Sequence, residues 1–312
     1  MSPSAPSPPA TGLWAGIRRV ADPKITLASV ASLVVGTAAA AVEGPLAWGW
    51  LGLTALGIFC IEAAKNASGE IFDWDSGTDR TLRPEERTPF SGGKRVLVDG
   101  VLTRRQTALV AAGFYAAGIA AGLVIVAGRE PAVLWFGLAG VGLAWFYHAP
   151  PLRLSYRGWG EAAVALAYGP VIACGTYLVQ HHRVGPSVVW LSAPLGLAIM
   201  AFLWVNEFPD ARADAAAGKR TLVVRLGPQR AARTFGGLVV LTYGLLALLP
   251  LAGLPLSVWL GAAGLPFAVA AAQRVARFPE VPAALVPAQG WTLLAFLLLA
   301  LGSGTGAWLS WG

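Results

Sequence analysis

The chain has 312 residues, 56% of them hydrophobic and only 12% charged, with a net charge of +7 and a mean hydropathy of +0.61. A soluble domain carries about a quarter charged residues, so this composition excludes an ordinary soluble fold and places the chain among helical membrane proteins. The apolar runs are long and continuous, which excludes a transmembrane β-barrel, and the basic residues sit in short loops beside them, which excludes a nucleic-acid surface.

Residues 1–20 begin rich in Ser, Pro and Ala and carry no basic segment ahead of an apolar run. They are expected to form a disordered cytoplasmic tail, not a signal peptide. Nine apolar runs of roughly membrane-spanning length follow, near 25–42, 45–65, 106–127, 131–148, 161–179, 187–206, 233–250, 255–272 and 289–309. The predicted fold is an all-α polytopic membrane protein of nine transmembrane helices, a single domain over residues 21–312.

Basic residues fix the orientation. With the N-terminus in the cytoplasm, 21 of the 23 Lys and Arg residues fall on the cytoplasmic side, and only Arg129 and Arg183 lie opposite. The C-terminus is then outside. Cys60 and Cys174 each lie inside an apolar run and are expected to be small buried hydrophobes, with no disulfide between them.

Fourteen of the 16 acidic residues also fall on the cytoplasmic side, most of them in two clusters where the second and sixth runs leave the membrane. In the first, Glu62, Asn66, Glu70 and Asp73 recur at one helical face, with Asp75 and Asp79 beyond. In the second, Asn206, Asp210 and Asp214 recur every four residues and share a face if the helix continues past Pro209. Carboxylates converging at one mouth repel unless something cationic joins them. Mg²⁺ takes one or two carboxylates together with substrate phosphates, so the pattern suits a metal–pyrophosphate complex. The plainer alternative is a run of solvated loop charges.

The sequence Gly-Lys-Arg-x-Leu-Val follows each cluster, at Gly93–Val98 and again at Gly218–Val223. The repeat divides the domain into two related four-helix units, about 25–148 and 161–272, plus a ninth helix. Lys94, Arg95, Lys219 and Arg220 suit pyrophosphate oxygens; as a simpler role, they anchor loops on the cytoplasmic side. His148 lies at the same mouth. His181 and His182 lie on the outer side beside Arg183, and Glu161 opens the fifth run. Most of the 13 tryptophans read as interface anchors and core.

These motifs resemble the UbiA superfamily of intramembrane prenyltransferases, and within it the 1,4-dihydroxy-2-naphthoate polyprenyltransferases of menaquinone biosynthesis. The family's Asn-Asp-x-x-Asp is matched by Gly69-Glu70-Ile71-Phe72-Asp73, with Gly77-x-Asp79 beyond and Asn66 one turn earlier as a substitute amide. The second motif is matched by Asn206-x-x-x-Asp210-x-x-x-Asp214 and Gly218-Lys219-Arg220-Thr221-Leu222. A third match runs from Tyr147 through Pro151, Arg153, Tyr156, Gly158 and Gly160 to Glu161.

The resemblance covers about residues 20–310 and implies a helical bundle around a central cavity open to lipid and capped by cytoplasmic loops. It implies that Asn66, Glu70, Asp73, Asp79, Asn206, Asp210 and Asp214 hold Mg²⁺ on a prenyl pyrophosphate. Lys94, Arg95, Arg153, Lys219 and Arg220 would neutralise its oxygens. Asp73, Asp210, Arg153, Tyr147 and Tyr156 would serve ionisation of the donor and attack on an aromatic, quinone-precursor-like acceptor. The expected location is the bacterial cytoplasmic membrane. Gly69 and Glu70 depart from the family pattern and keep a terpene cyclase of the same superfamily open. A secondary transporter is a third reading, favoured by internal repeats but not by acids at the mouth instead of the midplane.

Overall fold

A computed structural model describes residues 12–309, which form no strand and ten principal helices. A short amphipathic helix, α1 (Leu13–Val20), comes first. It corrects the expectation of disorder up to residue 20: Gly16 and Val20 are buried, and α1 lies against Leu102 and the side of α3. The rest of the expected tail, residues 1–11, lies outside the described residues.

The remaining helices are α2 (Pro23–Glu43), α3 (Trp48–Ser76), α4 (Arg104–Gly128), α5 (Val133–Phe146), α6 (Gly160–His181), α7 (Pro186–Ala216), α8 (Pro228–Ala252), α9 (Leu256–Arg277) and α10 (Pro282–Leu309). Among the described residues, seven are long and apolar enough to cross a membrane: α2, α4, α6, α7, α8, α9 and α10. The other two stand where apolar runs were expected. α5 has only 14 residues, and α3 carries Glu62 and Lys65 in its apolar stretch and turns polar beyond. Many large apolar side chains face outward, including Trp135, Leu138, Val240 and Leu251. Such a surface is stable in hydrocarbon and not in water.

Small residues bring the helices together. A Cβ on Gly306 would meet the Ser257 carbonyl at 2.0 Å, and one on Gly36 would meet the Ala173 carbonyl at 2.5 Å. In lipid, helix association rests on such close approach, because apolar burial gains little there. One core joins α2, α6, α7 and α10 around Tyr177, Leu191 and Phe296; a second joins α7 to α10 around Trp204, Phe235 and Leu285.

Three local features shape the functional end. α3 stops at Gly77, whose φ of 85° is the left-handed conformation that ends helices. The chain then folds back as a loop to Thr103, which caps α4 by accepting from the Gln106 backbone N–H. α7 runs unbroken through both Pro194 and Pro209 to Ala216, so Asn206, Asp210 and Asp214 do share one face. α6 widens into a π-turn at Ala167–Val171, with Pro170 inside it. There Ser32 on α2 donates to the Tyr168 carbonyl, and the Tyr168 hydroxyl reaches Glu62 on α3 at 2.8 Å.

Candidate active site

The C-terminal ends of α3 and α7 meet beneath the 77–103 loop. Arg212 on α7 fastens that loop by pairing with Glu86 and donating to the Thr81 carbonyl at 2.6 Å. Glu86 is held below the usual carboxylate range by that Arg212 hydrogen bond, against the opposing effect of burial. Under the loop, Asp73, Asp79, Asp210, Asp214 and Lys219 line a polar cavity of about 30 Å³ with the backbone of Gly92 and Gly93.

The first acidic segment is knitted into its surroundings. Both Glu70 oxygens accept backbone N–H groups of the loop, from Lys94 and, at 2.8 Å, from Val96. Asn66 donates its amide to the Val20 carbonyl at 3.0 Å and so ties α1 to α3. That contact engages Nδ2 and leaves Oδ1 uninvolved, and Asn66 does not line the polar cavity. Asp73 accepts from the Tyr156 hydroxyl at 2.7 Å, and the same hydroxyl lies 2.8 Å from Ser76 Oγ. Asp79 is pushed up to about 8, first by burial and then by the Asp73 and Glu70 carboxylates.

The second segment is left open. Asp210 Oδ2 accepts the Gly92 N–H at 3.1 Å, but its Oδ1 is buried without a hydrogen-bond partner. Asn206 Oδ1 is likewise buried and unpartnered. Asp214 Oδ1 lies 3.4 Å from Lys219 Nζ, an ion pair too long to serve as a good hydrogen bond. Burial opposes the charge on Lys219, yet Asp214 and Asp73 hold it well above the usual lysine range. Asn206, Asp210 and Asp214 thus present three under-satisfied oxygens at spacings of four along one helix face. A hard cation prefers such a donor set. Among the described residues, no three His, Cys, Asp or Glu side chains close round an ion by themselves. The oxygens therefore fit a cation that takes its remaining ligands from substrate phosphates or water.

The expected cations are unequal too. Lys219 lines the polar cavity. Arg153 takes a left-handed backbone (φ 45°) that stacks its guanidinium on the Tyr156 ring, 3.9 Å from the centroid. Lys94 is paired to Asp22 at 2.8 Å and Arg95 to Asp99 at 2.8 Å, so the first Gly-Lys-Arg copy neutralises loop carboxylates. Arg220 is brought to the Tyr156 carbonyl only by its backbone N–H, and its side chain is exposed. That placement corrects the expectation of a matched Lys-Arg pair at the second motif.

On the membrane side a much larger cavity, of about 330 Å³, opens among α3, α4, α5 and α6. Its walls are apolar (Ile58, Ile61, Leu123, Phe136 and Val141 among them), with Ser29, Glu62, Lys65, Tyr147 and Tyr168 as the main polar members. Tyr147 joins the two spaces: it lies in this wall, and its ring packs edge-on against His148 at 4.7 Å between centroids, with His148 beside Asp73 of the polar cavity.

Three residues carry more than the sequence patterns assigned them. Lys65 has its Nζ 5.1 Å from the Tyr147 ring centroid; a lone lysine in an apolar run was its signal. Glu207 is buried against Glu161, one oxygen of each carboxyl unpartnered; it lies beside the helical face that drew attention to its neighbours. His148 explains Gly69. A Cβ at residue 69 would stand 2.7 Å from His148 Cε1, so the imidazole occupies the room an asparagine would need, with its Nε2 3.6 Å from Asp73. At the far end of α6, His181 contacts the Ala40 carbonyl and His182 contacts Glu130, on separate partners.

The fold and these motifs have counterparts. Residues 29–286 match the model of the UbiA prenyltransferase family. A Mycobacterium tuberculosis protein named 1,4-dihydroxy-2-naphthoate octaprenyltransferase is 30% identical, covering 90% of this chain and 92% of its own. A Synechocystis protein named 2-carboxy-1,4-naphthoquinone phytyltransferase is also 30% identical, covering 90% of this chain and 89% of its own. Among solved structures, a UbiA homolog from Aeropyrum pernix superposes with a TM-score of 0.70 at 19% identity, over 90% of this chain and 96% of that one. A UbiA homolog from Archaeoglobus fulgidus bound to GPP and Mg²⁺ gives 0.65 at 17% identity, over 93% and 99%. A match over most of the chain, carried by helices whose outward faces suit lipid, makes this protein a multi-pass membrane prenyltransferase of the UbiA prenyltransferase family.

Proposed function

We propose that the enzyme transfers a prenyl group from an isoprenoid pyrophosphate to an aromatic, quinone-precursor-like acceptor, with Mg²⁺ held at the polar cavity. The observation that carries this reading is the row of under-satisfied oxygens on one face of α7, at Asn206, Asp210 and Asp214, the last two sharing a polar cavity with Asp73, Asp79 and Lys219. The names of the naphthoate and naphthoquinone relatives support the acceptor class, and the Mg²⁺ and GPP bound to the Archaeoglobus homolog support the donor and metal.

Asp79, Asp210 and Asp214, with Asp73 beside them, line the polar cavity and would hold Mg²⁺, with Asn206 one turn before Asp210 on the same face of α7. The metal would supply charge neutralisation to the leaving pyrophosphate. Lys219 and Arg153 supply fixed positive charge there, and Lys94 and Arg95 reach it less directly because they already pair with Asp22 and Asp99. Glu70 acts by shaping the loop. As the allylic C–O bond breaks, its electron pair leaves with the pyrophosphate. The apolar cavity keeps water from the allyl cation. The face of Tyr147, in the wall of that cavity, stabilises the cation, while Tyr156 holds Arg153 and Asp73 in place. The acceptor's aromatic carbon then forms the new C–C bond and loses its proton.

The same reading includes nine crossings, with α3 and α5 spanning alongside the seven long apolar helices, and a cytoplasmic N-terminus. It includes two four-helix units and residence in the bacterial cytoplasmic membrane. The 21-to-2 division of basic residues supports the orientation.

The test is product analysis with purified enzyme, prenyl pyrophosphates of several lengths and a panel of aromatic acceptors. The expected outcome is a prenylated acceptor formed with Mg²⁺ and lost with a chelator. A cyclised product formed without any acceptor would replace this reading with the cyclase.

A further inference from the structure

Lys65 is a cation with no direct ion pair among the described residues; the carboxylate of Glu62 stands one turn earlier on the same helix. It lies on α3 in the wall of the apolar cavity; its carbonyl accepts from Ser68 Oγ at 3.2 Å, but its ammonium makes no hydrogen bond or ion pair among the described residues. Its Nζ lies over the Tyr147 ring, 5.1 Å from the centroid. Glu62, one turn earlier, does not meet its needs. One Glu62 oxygen accepts from Ser29 Oγ at 2.7 Å and the other from the Tyr168 hydroxyl at 2.8 Å. An ammonium carries three donors, and leaving all three without acceptors in an apolar wall is costly. A residue of this kind inside a membrane bundle marks a place where something binds.

We propose that Lys65 receives the carboxylate of an aromatic acceptor and so determines which acceptors the enzyme takes. This inference rests on the prenyl-transfer reading above. A carboxylate supplies the oxygens that Nζ lacks, and the adjacent Tyr147 ring supplies a face for the acceptor's aromatic ring. Anchoring at this point sets that ring between the apolar cavity and the polar one, because Tyr147 lines the first and packs on His148, whose Nε2 lies 3.6 Å from Asp73 of the second. The donor's pyrophosphate is a poorer occupant. Lys65 and Asp73 are eight residues apart on one helix, an axial rise of about 12 Å, and the charges suited to a pyrophosphate are already gathered at the far end of that interval.

The test compares wild type, Lys65→Met and Lys65→Arg on two acceptors, 1,4-dihydroxy-2-naphthoate and carboxylate-free 1,4-dihydroxynaphthalene, with KM for the prenyl pyrophosphate measured in parallel. Loss of a charge-assisted contact predicts a roughly ten- to hundredfold rise in KM for the carboxylated acceptor in Lys65→Met. The carboxylate-free acceptor and the donor should change by less than about twofold, and Lys65→Arg should recover part of the loss, since it keeps the charge. Equal losses on both acceptors, or a rise in donor KM instead, would overturn the proposal. Should Lys65→Met not fold, wild type alone decides: carboxylate-free acceptor binding as tightly as the carboxylated one also overturns it. Failure of the underlying reading looks different, because wild type would then prenylate neither acceptor with Mg²⁺ present.

Discussion

The two acidic segments come from helices that run the same way and end at the same depth, yet they use their oxygens in opposite ways. On α3, Glu70 is spent on two loop amides, Asn66 on α1, and Asp73 on Tyr156. On α7, Asn206 and Asp210 each keep a buried oxygen free, and Asp214 has only a long contact with Lys219. The first segment holds the loop that roofs the site; the second presents ligands to whatever lies beneath the roof. Division of labour of this kind lets a charged site be rigid before substrate arrives, which lowers the ordering cost of catalysis.

The largest expected effect comes from cutting the open side. Asp210→Ala removes one scaffold contact, to the Gly92 N–H, and one free oxygen. Prenyl transfer should fall by about a hundred- to a thousandfold while the protein keeps its melting temperature within a few degrees. Near-normal turnover would erase the distinction between the segments. Glu70→Ala should do the reverse. It strands two loop amides, a cost of about 1–3 kcal/mol each. The readouts are a lower melting temperature in detergent and faster protease cleavage within residues 77–103. A Glu70 variant that stays stable yet loses metal-dependent donor binding would move Glu70 to the ligand side.

A subtler break concerns Gly69. An asparagine side chain there must displace His148, and overpacking of this kind costs about 1–3 kcal/mol. Gly69→Asn alone should therefore destabilise the protein, and adding His148→Ala should recover most of the loss. The coupling between the two changes, measured as a double-mutant cycle, should exceed about 0.5 kcal/mol. Additive effects would mean that the glycine and the histidine are unrelated departures.

The polar cavity also predicts a pH dependence. A carboxyl held at about 8 carries its proton below that value, and a metal must displace the proton to bind. Affinity for Mg²⁺ with a prenyl pyrophosphate should rise with pH up to about 8 and level off above it. Below that point the fall should be at most about tenfold per pH unit for one proton released. Titration calorimetry at several pH values reads it, and Asp79→Asn should flatten the slope. An unaltered slope in that variant would take Asp79 out of the metal's reach.

Much of this was legible from the chain. Hydropathy marked the seven helices long and apolar enough to cross a membrane, and the period of four at Asn206, Asp210 and Asp214 marked the open face, because helical geometry leaves no other arrangement once α7 passes Pro209. Partners were not legible. Nothing in the spacing of Asn66 says that its amide faces Val20 rather than the mouth, since that depends on where α1 packs. Gly69 reads as a missing ligand until His148, 79 positions later in the chain, is seen to fill the space. Lys65 counts as one more basic anchor until the Ser29 and Tyr168 hydroxyls are seen to occupy Glu62. These are tertiary facts, set by which surfaces meet.

The smallest expected effect tests the repeat itself. Gly-Lys-Arg-x-Leu-Val occurs twice, which invites the view that all four cations serve the pyrophosphate alike. The geometry separates them: Lys219 lines the polar cavity, while Arg220 offers it only a backbone contact to Tyr156 and turns its guanidinium to solvent. An exposed charge in high dielectric contributes about 0–1 kcal/mol to any partner. Arg220→Ala should therefore change KM for the prenyl pyrophosphate and kcat by less than about threefold, with the melting temperature unmoved. A tenfold rise in that KM would mean that the loop after α7 swings its arginine inward over bound substrate, making the second segment the one that closes and the first the one that stays put.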